Sequence, residues 1–578
     1  MNTPITTITP PPPATPVLES VAEVFLGQLR ARGIGHFFIN AGTDFAPIVE
    51  AYARLDSAGA DLFPRPVIAG HENVCMGMAH GAYLMSGAPQ AVMFHVNVGT
   101  ANAVCGAMNA ARENVPLLVC AGRSPLFEHG RLGARNTRVA WGQEMYDQAA
   151  VMRESVKWEF ELRGALQVDD VLDRALNIAT DEPRGPVYLT LPREVLAAPA
   201  EHGFAAQARV AVPARSYPDP AAIALLADRL TAAHMPVISA MASGADGATV
   251  GLLAELCERY AIGYCEEQAR YLNLPDSHSL HLGFNLAGVL KQADVLLFVE
   301  CDVPWVPETG APRADAFVAQ AGVDPNFSGY PIRTHRSDLA IKCSPRALFE
   351  ELARALEQRK AGINPQRRTR LQDQASTTRR AVEQARASEL AKDGPITTAC
   401  LSSVLGSVLH DDCVVFNEYW LARAQLRALQ PQSYFYLPAT GGLGWAWPAA
   451  LGARLHCPER TMVAAIGDGT CMFSNPVACH HASQKHALPV LTVVANNERW
   501  NAVDSTSRLV YPDGHMTRRA WQDISDLRPA PAFEQGCIAA GGHGALVSTR
   551  GELEQALRRA LAVVENEQRQ ALVNVLCV

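Results

Sequence analysis

Features that mark several other classes of protein are missing from this sequence. No uninterrupted apolar run reaches the roughly 18 residues that a membrane-spanning helix needs, so we expect no membrane partner. The chain has 58 acidic and only 50 basic residues, and this balance argues against nucleic acid as a partner. The stretch 1–16 lacks a basic start and an apolar segment, so we expect a disordered Pro-rich lead instead of a secretory signal.

Cysteine is present, but never in the spacing of a metal or redox motif. The fourteen cysteines are scattered along the chain and form no C-x-x-C pair. We therefore expect small buried thiols in a reducing compartment, without disulfides or zinc ligands. The expected location is cytoplasmic.

What the chain does have is β-rich runs that alternate with Ala-rich helical stretches. Five such runs lie in 17–197, four in 198–356 and three in 394–578. This alternation predicts an α/β fold of three consecutive open parallel-sheet domains flanked by helices, one in each of these ranges. The charge-dense segment 357–393 has too few apolar residues for a core strand and predicts a linker with an exposed helix.

Two polar clusters in the third range follow predicted strands. A strand over 462–466 ends at G-D-G (467–469), and a strand over 489–495 ends at N-N (496–497). Both clusters therefore lie at carboxyl ends of parallel strands, where open α/β sheets bind ligands. A lone G-D-G would suit an ordinary strand–turn–helix with a capping aspartate. Its pairing with N-N across twenty-six intervening residues favours a ligand site.

The residue types in these clusters suit a hard cation that holds a diphosphate. Asp468 offers an anionic oxygen, Asn497 an amide oxygen, and Arg499 its backbone carbonyl. Mg²⁺ prefers about six oxygen ligands and commonly takes the remainder from phosphates and water. Gly467 and Gly469 let the backbone approach phosphates closely.

This pair of motifs resembles that of the thiamine-diphosphate enzyme superfamily, in particular its acetolactate synthase and benzoylformate decarboxylase branch. T-G-G-L-G-W at 440–445 and G-H-E-N at 70–73 resemble two further segments of these enzymes. The resemblance covers the chain after the Pro-rich lead. It implies three Rossmann-like domains: pyrimidine-binding (17–197), central (198–356) and diphosphate-binding (394–578).

The resemblance also implies roles for residues that bind the cofactor. Leu443 would be the apolar wedge that bends thiamine diphosphate, and the Gly441 carbonyl would accept from its amino group. Glu72 would be the catalytic glutamate that donates to a ring nitrogen of the aminopyrimidine. From composition alone, a core leucine and a helix-terminal charge are the plainer interpretations of Leu443 and Glu72.

Further candidates would contact the substrate. His95 lies four residues before Gly-Thr, as a histidine of benzoylformate decarboxylase does, and would transfer a proton. Thr43 falls where that enzyme has a substrate-binding serine, although it would equally suit a helix cap. His71, Asn97 and Trp500 are pocket candidates, with packing as the alternative.

The sequence departs from the branch in the central range. The second active-site histidine of benzoylformate decarboxylase has no counterpart, and Trp305 is the residue we expect to line the pocket there. No acidic–basic R-F-D-D-R run is present, which argues against FAD. No G-x-G-x-x-G follows a strand there either, which disfavours a nucleotide-dependent dehydrogenase.

The implied reaction is cleavage or formation of a carbon–carbon bond beside a carbonyl, with Mg²⁺ and thiamine diphosphate as cofactors. A 2-oxo acid or aldehyde would be the substrate, and protonation after decarboxylation would yield an aldehyde, whereas attack on a second carbonyl would yield a hydroxyketone. A lyase of 2-hydroxyacyl or diketone substrates and a non-catalytic cofactor-binding relative remain alternatives. The resemblance implies a homodimer as the minimum unit and a homotetramer as the expected assembly.

Overall fold

The computed structural model describes residues 17–57, 61–200, 211, 213–426 and 430–578. The predicted Pro-rich lead at 1–16 lies outside the described residues. The described chain forms three open sheets of parallel strands, each flanked by helices, which confirms the predicted fold class. The domain boundaries proposed above stay predictions.

The first sheet has six strands in the order β2-β1-β3-β4-β6-β5. The strands are β1 (His36–Asn40), β2 (Arg65–Ile68), β3 (Gln90–Phe94), β4 (Leu117–Arg123), β5 (Glu159–Glu161) and β6 (Val187–Pro192). The helices are α1 (Val21–Ala31), α2 (Ala46–Ser57), α3 (Glu72–Ser86), α4 (Val96–Arg112), α5 (Val139–Gly142), α6 (Val168–Thr180) and α7 (Arg193–Leu196). Helix α3 follows the edge strand β2 and helix α4 follows the central strand β3, so the first residues of both helices lie at the carboxyl edge of the sheet.

The central sheet has five strands in the order β11-β10-β9-β7-β8. The strands are β7 (Pro236–Ala240), β8 (Gly263–Tyr264), β9 (Val295–Val299), β10 (Phe317–Gly322) and β11 (Leu339–Lys342). The helices are α8 (Pro220–Ala232), α9 (Ala248–Tyr260), α10 (Leu286–Leu290) and α11 (Pro345–Glu357). Trp305 is buried in this core, and its ring packs at right angles to His335 at 4.9 Å. The expectation that Trp305 lines the substrate pocket stays a prediction, and the packing described here assigns its ring to the core of the central domain.

The charged segment after the central sheet forms one long helix, α12 (Gln366–Leu390). Most of its described side chains are at least partly exposed, which agrees with the predicted exposed helix. Arg367 is one of four buried residues of this helix, and its guanidinium donates to the carbonyls of Leu230 at 2.7 Å and Tyr260 at 2.6 Å. These bonds anchor the first turn of the helix to the central domain.

The third sheet has six strands in the order β13-β12-β14-β15-β17-β16. The strands are β12 (Cys413–Asn417), β13 (Tyr434–Tyr436), β14 (Thr461–Gly467), β15 (Leu491–Asn496), β16 (His543–Val547) and β17 (Ala571–Leu576). The helices are α13 (Thr398–Val408), α14 (Ala446–His456), α15 (Asp468–Phe473), α16 (Pro476–His486), α17 (Asn501–Val510), α18 (His515–Arg519), α19 (Phe533–Ala539) and α20 (Arg550–Asn566). The two strands that carry the polar motifs, β14 and β15, are neighbours in the middle of this sheet.

The first and third sheets share one hydrophobic core, in which α3 packs against α14. The two backbones approach so closely that a Cβ at Gly81 would lie 1.9 Å from the Ala449 carbonyl oxygen. On the other helix, a Cβ at Gly452 would lie 1.8 Å from the Met78 carbonyl oxygen. Glycine is therefore required at both crossing points, and the crossing fixes α3 relative to the diphosphate motifs.

The cysteines are all free thiols, and all but Cys105 and Cys457 are buried. This confirms the expectation of buried thiols without disulfides. Among the described residues, no helix combines the length and the hydropathy that a membrane crossing requires.

Candidate active site

The G-D-G motif places a buried carboxylate between two strand ends. Strand β14 ends at Gly467, and Asp468 begins α15. The Asp468 carboxylate accepts from the amide of Gly469 at 2.7 Å and from the amide of Arg499 at 3.3 Å. The Asn497 side-chain oxygen accepts from that same Arg499 amide at 3.2 Å. The two oxygens proposed as metal ligands therefore converge on one point.

This donor set suits a divalent cation. Burial raises the pKa of Asp468, although its backbone hydrogen bonds act in the opposite direction. A bound cation would favour the ionised carboxylate, and carboxylate and amide oxygens are what Mg²⁺ prefers. The Arg499 carbonyl, the third proposed ligand, already accepts from the amide of Asn501 at 2.9 Å and retains one lone pair.

Trp500 packs directly against the G-D-G turn. A Cβ at Gly469 would lie 2.1 Å from the Trp500 ring, so only glycine allows this contact. The Phe473 ring stands at a steep angle to the Trp500 ring, with 5.8 Å between centroids. Trp500 thus lies at the proposed diphosphate end, and its predicted contact with substrate stays a prediction.

The G-G-L-G turn depends on backbone conformations that favour glycine. Gly441 and Gly444 have positive φ angles of 62° and 86°. Asn109 of α4 brackets Gly442, donating to its carbonyl at 2.9 Å and accepting from its amide at 3.2 Å. Leu443 is only half-buried, so it is not a core leucine. In the described structure the Gly441 carbonyl accepts no hydrogen bond, which leaves it free for the proposed bond to the cofactor.

Glu418 holds the end of this turn, and sequence reasoning missed it. Its buried carboxylate accepts from the amides of Gly444 at 2.8 Å, Trp445 at 3.1 Å and Ala446 at 2.7 Å, at the start of α14. Burial raises the pKa of Glu418 to about 7, while the three amide bonds oppose that rise. The carboxylate thus caps α14 and anchors the segment that carries Leu443.

Glu72 is the first residue of α3 and is buried. Asn102 of α4 donates to its carboxylate at 3.1 Å. Gly99, also on α4, allows this approach, since a Cβ there would lie 3.1 Å from the other carboxylate oxygen. His71 caps the same helix, because its Nδ1 accepts from the Asn73 amide at 3.1 Å.

His71 also lines a cavity of about 520 Å³ between the first domain and helices α15 and α16. The cavity wall includes His481, whose side chain is exposed. The neighbouring His480 is buried, bonds to the Gln570 side chain at 2.8 Å and packs against the Trp447 ring. Neither His480 nor His481 contacts the residues of the two strand-end motifs by hydrogen bond within the described chain.

His95 is the residue that precedes α4, and its ring contacts a buried carboxylate that sequence reasoning missed. Its Nδ1 lies 2.5 Å from Asp44, and its Nε2 lies 3.1 Å from the Gln143 side-chain nitrogen. The hydrogen bond to Asp44 raises the pKa of His95, partial burial opposes this, and the nearby charge of Glu72 adds to the rise. Glu72 and His95 therefore lie within electrostatic reach of each other.

Two weaker candidates lie close to His95 in sequence or on the same edge of the sheet. The Asn97 side-chain oxygen is buried without a hydrogen-bond partner in the described structure, so it is available to a ligand. Thr43 is exposed and begins a short 3₁₀ turn, Thr43–Phe45, whose cap position is Gly42. Thr43 therefore does not cap the helix, which excludes the capping alternative for this residue.

Comparison with known proteins identifies the group of enzymes to which these features belong. The family model for the thiamine pyrophosphate enzyme N-terminal TPP binding domain matches residues 19–151. The model for the C-terminal TPP binding domain matches residues 416–575. The chain belongs to the thiamine pyrophosphate enzyme family. The resemblance inferred from the motifs is thereby confirmed, as is the prediction of an enzyme of the thiamine-diphosphate-dependent decarboxylase and carboligase group.

Relatives within this family align along nearly the whole chain. Benzoylformate decarboxylase of Pseudomonas aeruginosa is 28% identical over 92% of this chain and 95% of its own. A probable acetolactate synthase of Mycobacterium bovis is 26% identical over 88% of this chain and 87% of its own. The solved structure of a thiamine diphosphate-dependent 4-hydroxybenzoylformate decarboxylase of Rhodococcus jostii has the same fold, with a TM-score of 0.75, 22% identity and coverage of 96% and 99%.

The two matched domains of the thiamine pyrophosphate enzyme fold hold separate groups of candidates. Glu72, His95, Asn97 and Thr43 lie at one edge of the first sheet, and Asp468, Asn497, Arg499 and Trp500 lie at one edge of the third. Within the described part of one chain, no hydrogen bond joins the first group to the second. Two TPP binding domains in the chain support thiamine diphosphate as the cofactor, and the roles of the individual residues stay predictions.

Proposed function

We propose that this chain is a thiamine-diphosphate- and Mg²⁺-dependent enzyme that decarboxylates a 2-oxo acid and releases an aldehyde or joins it to a second carbonyl. The proposal depends on the presence of two sites in one chain. At the edge of the first sheet, the buried Glu72 lies near His95, which bonds to the Asp44 carboxylate. At the edge of the third sheet, the side-chain oxygens of Asp468 and Asn497 converge. The names of the relatives, benzoylformate decarboxylase and acetolactate synthase, support the 2-oxo acid class.

The residues of the third domain would hold the diphosphate end of the cofactor. Asp468, Asn497 and the Arg499 carbonyl would hold Mg²⁺, whose charge would neutralise the phosphates, and Gly467 and Gly469 would let the backbone approach those phosphates. When bound, thiamine diphosphate supplies a thiazolium ring that accepts the electrons of the broken carbon–carbon bond.

The remaining candidates would orient the reacting groups and move protons. Glu72 would donate to a ring nitrogen of the cofactor, with Asn102 fixing the side chain. The free Gly441 carbonyl and half-buried Leu443 would orient the cofactor rings. His95 would donate a proton from Nε2 to the substrate-derived carbon. Thr43, His71, Asn97 and Trp500 would contact the substrate.

The active unit that we propose is a homodimer, assembled further into a homotetramer. Glu72 and Asp468 lie at the edges of different sheets, and no hydrogen bond joins their groups within the described part of one chain, which supports a site that a second subunit completes. Exposed apolar side chains follow the metal-ligand turn, namely Val503, Leu509, Val510, Tyr511 and Ile524, and a patch of this kind is typical of an interface. The free cysteines support a reducing, cytoplasmic location.

Cofactor binding and turnover test this function together. The purified chain is titrated with thiamine diphosphate and Mg²⁺ by calorimetry and then supplied with a panel of 2-oxo acids, with and without an acceptor aldehyde. We expect binding that requires Mg²⁺, release of carbon dioxide and one of the two products. Aldehyde release from a 2-hydroxyacyl compound or a diketone, without carbon dioxide, would instead identify the lyase alternative.

A Glu72→Gln variant separates catalysis from binding. Loss of the proton donor should lower turnover by about 10²–10⁴-fold, while cofactor affinity stays within a few-fold of the wild type. Glu308→Gln, at an exposed position of the central domain, is the matched control and should keep full activity. Absence of cofactor binding, or full turnover in Glu72→Gln, would contradict the proposed function.

A further inference from the structure

Asp44 is a buried carboxylate to which the proposed function assigns no task. It lies in the 3₁₀ turn after β1 and is 3% exposed. One carboxylate oxygen lies 2.5 Å from His95 Nδ1, and the other accepts from the Val96 amide at 3.3 Å. When the carboxylate is ionised it has no hydrogen to donate, and His95 Nδ1 then carries the proton of this bond.

Two backbone positions beside the pair accept only glycine. A Cβ at Gly122 would lie 1.7 Å from the Asp44 carboxylate, and a Cβ at Gly42 would lie 2.2 Å from the His95 ring. Val96, directly after the histidine, has a φ angle of +32°, which is unusual for a β-branched residue. Strain of this kind persists only where the surroundings over-determine it, and it clusters at functional sites.

The second ring nitrogen of His95, Nε2, faces the side-chain amide of Gln143. This amide can form a hydrogen bond with either the neutral or the protonated ring. His95 Nε2 lies 3.1 Å from the Gln143 side-chain nitrogen, and the side chain of His95 is 21% exposed. With Nδ1 protonated, a neutral Nε2 accepts from the amide nitrogen. Rotation of the amide by half a turn presents its oxygen to a charged ring, because the two ends of a glutamine amide have similar shape.

The charged groups around His95 favour its cationic form. Asp44 faces the ring from the turn after β1, and Glu72 faces it from the start of α3. Glu144, next to Gln143, is engaged by Arg123 at 2.9 Å and Arg135 at 2.6 Å, so its charge is already compensated. Asp44 thus acts on His95 without a competing cation among the contacts of the ring in the described structure, and Glu72 adds to its effect whenever the Glu72 carboxylate is ionised.

We propose that Asp44 is a positioning residue that fixes the tautomer and orientation of His95, keeps Nε2 charged as a proton donor, and so directs the reaction toward aldehyde release instead of carboligation. The inference rests on the proposed function and deepens it. After carbon dioxide leaves, the electron pair on the remaining carbon takes the proton of Nε2. A carbon–hydrogen bond forms, the nitrogen–hydrogen bond breaks, and the neutral ring regains a proton from solvent at its exposed edge.

The consequence for the products is tested in turnover with a 2-oxo acid and an acceptor aldehyde. Asp44→Asn should lower the ratio of aldehyde to hydroxyketone by at least about tenfold, which corresponds to about one unit of pKa on the donor. An unchanged ratio would overturn the proton-donor assignment. Circular dichroism of the variant checks that it is folded.

The effect of Asp44 on the protonation of His95 is tested separately, without cofactor or substrate. A negative result in this test can therefore be distinguished from a failure of the proposed function. Hydrogen–deuterium exchange at the imidazole C2 position, followed by mass spectrometry of the His95 peptide, reports the protonation midpoint of that ring. We expect a midpoint above the ordinary 6.5 in the full-length wild type. In Asp44→Asn it should fall by about one pH unit or more.

Two further variants complete this test, one as a negative control and one as a second perturbation of the Asp44–His95 pair. Asp147→Asn removes an exposed carboxylate that pairs with Arg153, and it should leave the His95 midpoint unchanged. Gly122→Ala keeps both members of the pair and pushes the Asp44 carboxylate from its place, so it should lower the midpoint as Asp44→Asn does. An Asp44→Asn or Gly122→Ala midpoint equal to that of the wild type would overturn the proposal.

Discussion

Removing the Glu418 carboxylate should loosen the turn that carries Gly441 and Leu443. Three buried amides at the start of α14 donate to this one side chain. These amides have no partner within their own helix, because the first turn of any α-helix leaves its N–H groups free. Glu418 comes from the end of another segment, after β12, and so ties the turn to the sheet.

The number of amides that donate to Glu418 determines how far the free energy of unfolding should fall. A buried N–H group without an acceptor costs about 1–3 kcal/mol. Glu418→Ala leaves three such groups, so the free energy of unfolding should fall by about 3 kcal/mol or more. Glu418→Gln keeps one side-chain oxygen. If this oxygen occupies the position of Oε2, it still accepts from the amides of both Trp445 and Ala446. Only the Gly444 amide then loses its acceptor, and the fall should be about 1–3 kcal/mol.

Urea denaturation of both variants measures these differences, at a pH about one unit above the pKa of about 7 so that the wild-type carboxylate is ionised. Glu552→Ala is the control, since Glu552 is an exposed acid in the first turn of α20 and its loss should cost about 0.3–1 kcal/mol. Thiamine diphosphate affinity should fall in the order wild type, Gln, Ala. Equal unfolding midpoints for Glu418→Ala and Glu552→Ala would refute the reasoning.

Two predictions concern the crossing of α3 and α14. Gly81→Ala should destabilise the protein by about 1–3 kcal/mol or more, because the new methyl meets the Ala449 carbonyl, which cannot rotate away; a variant with a wild-type unfolding midpoint would contradict the close approach. His80 is buried against Trp445, and burial lowers its pKa to about 3, from 6.5 when unfolded. Its stabilising contribution is complete above pH 6.5 and is lost as the pH falls toward 3. His80→Phe should therefore lose less stability on acidification, by about 1.4 kcal/mol per pH unit, and parallel pH profiles would exclude this assignment.

Sequence patterns predicted twelve of the strands that the structure describes, among them the edge strands β2, β8 and β11. Of the five that were missed, β5, β13 and β16 lie at sheet edges. Edge strands need not be apolar on both faces, so short segments such as β5 show no clear pattern. Strand β10 contains the buried Gln320, whose amide bonds to the Arg336 carbonyl at 3.2 Å, and this polar residue interrupts the apolar run. Strand β12 is a short apolar run that periodicity alone does not separate from a helix segment.

The residues of the candidate site likewise fall into those that sequence motifs predicted and those that only the structure revealed. Asp468, Asn497 and Gly441 lie in local motifs whose spacing is readable along the chain. Asp44, Asn102, Gln143 and Glu418 carry no motif of their own. Asp44 lies 51 positions before His95, and Glu418 lies 26 positions before Gly444. Such partners become visible only when the sheets bring their strand ends together.

By itself the sequence determined the α/β class, the three sheets and the two polar strand-end motifs, because strand periodicity and glycine-rich turns are local properties of the chain. Only the tertiary structure decided which carboxylate holds His95, which one caps α14, and that Trp305 belongs to a core. Hydrogen bonds and close packing act over a few ångströms in space, and residues far apart in sequence reach that distance only after the strands have aligned.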